Sequence, residues 1–282
     1  MKPNPNYYFR ILFFSAIFFI SLTSYGQKNY TRFEEIYKQI DSVKLKMVIY
    51  HPENFRQTEK YPTIVFFFGG GWISRSFDQF IPFAIHCASK GMIAVLADYR
   101  VGKWEKTTPF ESLKDAKSAI RYLRQNAAKL SIDTNMIIAS GGSAGGHLAA
   151  ACFTNETVNE AGEDLNVSSK PNALVLFNAV IDNSKAGYGY ERIGERYLEF
   201  SPLHNIRKGF PPTVFFLGTK DKLIPVATAE TFKQKIEGVG GICTLHLYEN
   251  QEHGFFNQKV LHADLFSKMN TFFDSIGIKP QI

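Results

Sequence analysis

Ser143 stands at the centre of Gly141-Gly142-Ser143-Ala144-Gly145, a G-x-S-x-G arrangement. A serine hydroxyl is a weak nucleophile unless a base activates it and the backbone presents it. Met136-Ile137-Ile138-Ala139 before the motif has strand character. Leu148-Ala149-Ala150-Ala151-Cys152-Phe153 after it favours a helix. Strand, sharp turn and helix together give the motif its chemical meaning, because the strained turn lifts the hydroxyl clear of the sheet. Glycines two residues to either side let neighbouring backbone pass close. Outside that context the same residues would be an ordinary loop.

Three other stretches carry residue types that acyl transfer needs. Phe68-Gly69-Gly70-Gly71-Trp72 follows an apolar run, and its glycines let backbone N–H groups turn toward a developing oxyanion. The competing uses are a flexible loop or a phosphate cradle, but no Lys-Ser/Thr follows at the phosphate-loop spacing. Gly70 is the first choice for the inward amide, with Gly69 and Gly71 beside it. The N–H of Ala144 supplies the second donor. Gly218-Thr219-Lys220-Asp221 ends another apolar run. Asp221 suits either an imidazole partner or a turn and helix cap. Glu249-Asn250-Gln251-Glu252-His253-Gly254-Phe255 follows the last apolar run and sets His253 in a polar loop. A lone loop histidine is ordinarily solvated. Its position late in the chain, after Ser143 and Asp221, makes it the candidate base.

The elements that must position these residues are legible as apolar runs. Residues 27–41 read as a helical or irregular lead-in, and residues 43–50 alternate as an edge-region antiparallel strand does. Thr63-Ile64-Val65-Phe66-Phe67-Phe68, Met92-Ile93-Ala94-Val95-Leu96-Ala97, Ala173-Leu174-Val175-Leu176-Phe177 and Thr213-Val214-Phe215-Phe216-Leu217 are strands buried on both faces. Residues 242–248 form the last strand. Helices fall at residues 78–89, 113–130, 226–236 and 261–276; in the second, Leu113, Ala116, Ile120, Leu123, Ala127 and Leu130 share one face. Residues 182–210, rich in Gly, Tyr and charge, interrupt the alternation as a lid-like insertion. Alternating buried strands and helices predict an α/β fold with a mostly parallel sheet, whose strand ends gather the functional groups. With no repeat or linker, residues 27–282 read as one domain.

Composition narrows the function classes. The chain has 282 residues and a net charge of +6, but its basic residues are scattered, which argues against nucleic-acid binding. Lys2 and Arg10, an apolar core over residues 11–22 and Ser24-Tyr25-Gly26 predict a signal peptide over residues 1–26. The reading is therefore of an exported protein, secreted or periplasmic, without stable membrane insertion after cleavage. An uncleaved anchor is the alternative. Cys87, Cys152 and Cys243 lack paired spacing, so three buried thiols or one disulfide are the arrangements open to them. No metal or organic cofactor is called for.

These stretches, with Asp98-Tyr99-Arg100 and Ser201-Pro202-Leu203, resemble the α/β-hydrolases of the esterase/lipase group, near the hormone-sensitive-lipase-like and acetylxylan-esterase-like carbohydrate enzymes. The likeness covers about residues 45–275 and includes the chain order Ser, Asp, His. It implies the α/β-hydrolase fold and a triad of Ser143, Asp221 and His253. The family's glycine loop usually begins with a loop-bracing His, where this chain has Phe68. The resemblance further implies hydrolysis of acetyl or other short acyl esters, with an acylated carbohydrate as substrate. Trp72, Tyr188 and Tyr190 are the aromatics that would stack on sugar rings, or else pack the core and lid. A long-chain lipase, an amide- or peptide-cleaving serine hydrolase, and a binding protein on the same scaffold are the alternatives.

Overall fold

A computed structural model describes residues 30–278, so the signal-peptide reading of residues 1–26 lies outside the described residues. Among the described residues eight strands form one sheet in the order β1-β2-β4-β3-β5-β6-β7-β8. They are β1 (Arg32–Ile40), β2 (Val43–Tyr50), β3 (Tyr61–Phe67), β4 (Ile93–Ala97), β5 (Ile132–Gly142), β6 (Ala173–Phe177), β7 (Thr213–Gly218) and β8 (Cys243–Tyr248). The β1–β2 and β2–β4 pairs are antiparallel. From β4 across to β8 every pair is parallel.

β1 corrects the expected helical or irregular lead-in. It forms a hairpin with β2 through a turn in which Asp41 takes φ 50°. A register shift between Ile36 and Lys38 breaks the two-residue alternation that would have marked the strand. Its mixed charges suit an edge that faces water.

The apolar runs of β3 to β7 are explained by burial on both faces. Along β3, Val65 and Phe67 point into one core, while Ile64 and Phe66 point into the other. Among the described residues five helices of two turns or more cover these faces: α1 (Ile81–Ala88), α2 (Pro109–Gln125), α3 (Ala144–Thr154), α4 (Val226–Gly238) and α5 (His262–Ser275). The first core takes Leu113, Ile120 and Leu123 of α2, Leu148 of α3 and Phe232 of α4. The second takes Phe83 of α1 with Leu265 and Met269 of α5. α2 starts where Thr108 accepts from the Phe110 N–H and Glu111 reaches back to the Thr108 N–H, with Pro109 at the first position. The 182–210 insertion joins β6 to β7 and contains the short helical turns Tyr190–Ile193 and Tyr197–Phe200.

Candidate active site

The carboxyl ends of β5, β7 and β8 bring three of the sequence candidates into one hydrogen-bonded line. Ser143 sits between β5 and α3 with φ 54° and ψ −121°, a backbone conformation that costs of order 1–3 kcal/mol for a residue with a side chain. Its surroundings hold it there. The Ser143 N–H donates to the Phe177 carbonyl at 3.0 Å, and its own carbonyl accepts from the His147 and Val180 amides. Gly145 makes the turn possible: a Cβ there would stand 2.0 Å from the Phe67 oxygen and 2.3 Å from that of Phe68. The helix that starts at the turn can therefore press directly against the end of β3.

His253 reaches Ser143 from the loop after β8. Its Nε2 lies 2.9 Å from Ser143 Oγ, and its Nδ1 lies 2.8 Å from Asp221 Oδ2. The other oxygen of Asp221 accepts from the Leu223 and Ile224 amides, each at 2.9 Å. The two uses the sequence left open for Asp221 thus coexist, one oxygen for the turn and one for the imidazole. The carboxylate is fixed by two N–H donors and its side chain is 0% exposed, so it holds the imidazole in one orientation.

The glycine loop lies across the cavity from His253. Gly70 has φ 137°, and a Cβ would fall 2.2 Å from the Ser74 carbonyl oxygen, so only glycine fits. Its amide and that of Gly71 donate to no acceptor among the described residues. Ala144 opens α3, where an N–H has no intrahelical partner. The Gly69 N–H, by contrast, donates to Gln79 Oε1 at 2.7 Å, which corrects its candidacy as an oxyanion donor. Phe68 stacks on Tyr99 with ring centroids 4.0 Å apart, and the Tyr99 hydroxyl donates to the Phe68 carbonyl. Gln79 and Tyr99 therefore brace the loop.

A cavity of about 310 Å³ lies over Ser143 and His253, walled by Gly70, Gly71, Tyr188 and Phe256. Of the three aromatics expected to meet a sugar, Tyr188 lines it. Trp72 does not: it is 1% exposed and stands edge-on to His147, with centroids 5.2 Å apart, packed against Phe200. Tyr190 does not either; its hydroxyl turns to Glu195 and its ring to Tyr197. The tilt of the chain at Gly71 (φ 63°) and Trp72 (φ 58°) sends the indole inward, which aromatic residue type alone does not reveal.

Three polar residues at the cavity, Gln79, Asn178 and Asn257, were not found in the sequence. Gln79 carries no motif around it. Asn178 follows β6 directly, and inspecting every strand end would have found it. Buried His147, beneath the site, is held down to about 3, chiefly because burial disfavours its charged form. The three cysteines are free and buried; burial pushes Cys152 and Cys243 up to about 12, so they are poor nucleophiles. Among the described residues no His/Cys/Asp/Glu group is arranged to hold a metal, and no helix is long and apolar enough to cross a membrane. The arrangement of nucleophile, base and orienting carboxylate, with unpaired amides in the glycine loop, is the one that transfers an acyl group through serine.

Comparison with known proteins points to the same class of enzyme. The BD-FAE family matches residues 47–189, and the dienelactone hydrolase family matches residues 180–271. The chain is similar to solved structures of Thermogutta terrifontis esterase 2. The form phosphoramylated by tabun is 40% identical with TM-score 0.84, over 88% of this chain and 96% of that one. The propionate-bound form is 39% identical with TM-score 0.84, over 88% and 95%. A probable isoprenylcysteine alpha-carbonyl methylesterase of Arabidopsis thaliana is 27% identical, over 76% of this chain and 49% of its own length. The chain spans about half the length of the curated relatives it matches.

Proposed function

Because this chain belongs to the BD-FAE family of α/β-hydrolases, we propose that it is a serine carboxylesterase that removes short acyl groups through an acyl-enzyme. The observation that carries the reading is the continuous line from Asp221 Oδ2 through His253 to Ser143 Oγ, with both steps below 3 Å. His253 Nε2 accepts the Ser143 proton as Oγ attacks the ester carbonyl. Asp221 stabilises the imidazolium and keeps Nδ1 protonated. The Gly70 and Ala144 amides receive the oxyanion, with Gly71 at the edge of the same loop; one such donor is worth ~2.7–4 kcal/mol. His253 then protonates the departing alcohol and takes a proton from the water that releases the acid.

The short-acyl reading draws support from the relative's propionate- and butyrate-bound structures. For the alcohol we favour a carbohydrate, with Tyr188 as the one expected aromatic at the cavity wall. Export by residues 1–26, leaving a single domain over residues 27–282 with 182–210 as its lid-like insertion, completes the proposal.

The test is hydrolysis of p-nitrophenyl acetate and octanoate, with Ser143→Ala as control, followed by acetate release from acetylated xylan. Acetate should turn over faster than octanoate, and activity should vanish in Ser143→Ala while the fold persists. Near-wild-type turnover by Ser143→Ala would overthrow the mechanism. Ester turnover without release from xylan would discard the polymer and keep the esterase.

A further inference from the structure

The atom that handles every proton in this reaction, His253 Nε2, has a second neighbour besides Ser143. Asn178 Nδ2 lies 3.4 Å from it. Asn178 is fully buried and is one of the residues that line the catalytic cavity. Its backbone has φ 35° and is tied by an N–H bond to the Phe216 carbonyl at 2.7 Å, so the side chain is aimed by β6 and β7 together. Asn178 Oδ1 has no hydrogen-bond partner. A buried amide is rarely left half-paired. The other polar side chains at the wall are engaged: Gln79 with Gly69, Asn257 with the Gly254 carbonyl, and the Tyr188 hydroxyl with Arg192.

We propose that Asn178 is a catalytic residue of the second half-reaction, holding the attacking water, and before it the leaving alcohol oxygen, against His253 Nε2. The inference rests on the esterase reading. The attacking water must give one proton to Nε2 while an oxygen lone pair faces the acyl carbon. That leaves its second O–H and second lone pair to be fixed. A carboxamide meets either need, since a half-turn about its terminal torsion exchanges Oδ1 for Nδ2 at the same place. Water oxygen bonds to the acyl carbon and its proton passes to Nε2. The intermediate collapses, the bond from acyl carbon to Ser143 Oγ breaks, and Nε2 returns the proton to Oγ. The free acid leaves. The amide gains and loses nothing in the cycle. It spares the water the entropy of finding its place.

The experiment is pre-steady-state hydrolysis of p-nitrophenyl acetate by wild type, Asn178→Ala and Asn178→Gly, with rates expressed per serine titrated by a fluorophosphonate. Glycine adopts the positive φ freely, so that variant keeps the test alive if alanine strains the fold. p-Nitrophenolate leaves without protonation, so acylation should be spared. The expected result is a fall of about tenfold in kcat with a parallel fall in KM, leaving kcat/KM within about twofold, the signature of slowed deacylation for loss of about one hydrogen bond. A stoichiometric burst and an acetyl-enzyme visible by intact mass should appear. Equal losses in kcat and kcat/KM without a burst would overturn the proposal, because Asn178 would then act on Ser143 and His253. An unchanged kcat would overturn it too. Either outcome, alongside inactive Ser143→Ala, leaves the esterase reading standing.

Discussion

Acid should destabilise this protein through one buried histidine that takes no part in the chemistry. His147 lies in α3, one turn after Ser143, and is 0% exposed. Its Nε2 lies 3.2 Å from the Phe200 carbonyl oxygen, Phe200 stacks on its ring at 4.4 Å, and Trp72 meets it edge-on. Burial holds it at about 3 against an ordinary 6.5, while the Phe200 carbonyl and the Asn183 side chain pull weakly the other way. Between those two values the unfolded chain binds a proton that the folded chain refuses. Stability therefore rises with pH across this window and falls as pH drops below about 6.5. Near pH 5 the two states differ by about 1.5 pH units of free energy, or about 2 kcal/mol. That is a sizeable part of the ~5–15 kcal/mol that holds a typical domain together. The assay is urea unfolding at about pH 7.5 and about pH 5, comparing wild type with His147→Gln. Glutamine can still donate to the Phe200 carbonyl but cannot titrate. His51 and His246 are also lowered by burial and cancel in the comparison. Wild type should lose about 2 kcal/mol more than the variant between the two conditions. Parallel losses would refute the reasoning, since they would mean that folded His147 accepts a proton as readily as the unfolded chain does.

Two further substitutions probe the site itself. Gln79→Ala removes the acceptor that holds the Gly69 N–H, so the glycine loop should lose its register. Turnover of p-nitrophenyl acetate should fall about tenfold, with a stability loss of about 1 kcal/mol in a melt; an unchanged kcat would show that Tyr99 suffices as brace. Asp221→Asn keeps an oxygen for the Leu223 and Ile224 amides but presents the wrong partner to His253 Nδ1. Activity should drop roughly 10⁴-fold with an unchanged melting curve, and a loss below about tenfold would remove Asp221 from the triad.

The sheet was legible because β3, β4, β6, β7 and the second half of β5 are buried on both faces, which turns each into a largely apolar word. β1 escaped because it obeys neither signal: it lies at the edge, and its irregularity near Tyr37 resets the alternation halfway. Ser143, Asp221 and His253 were legible because their chemistry demands specific residue types at the ends of strands, in an order the chain preserves. The errors fall where a side chain's direction depends on local backbone. Trp72 and Tyr190 have the right residue type for a sugar platform, but the positive φ at Gly71 and Trp72 turns one inward, and Glu195 holds the other at the outside.

Gln79 and Asn178 show the limit from the opposite side. Both are common polar residues whose importance comes from what they meet, a single glycine amide in one case and a single imidazole nitrogen in the other. Neither contact leaves a motif in the sequence: Asn178 after β6 meets His253 from the loop after β8, and Gln79 turns back onto Gly69. The nucleophile can be read in one dimension because its strain must be built locally from Gly141 to Gly145. The contacts that serve the base are assembled across the sheet, so a strand end can flag Asn178 but only three dimensions show what it meets.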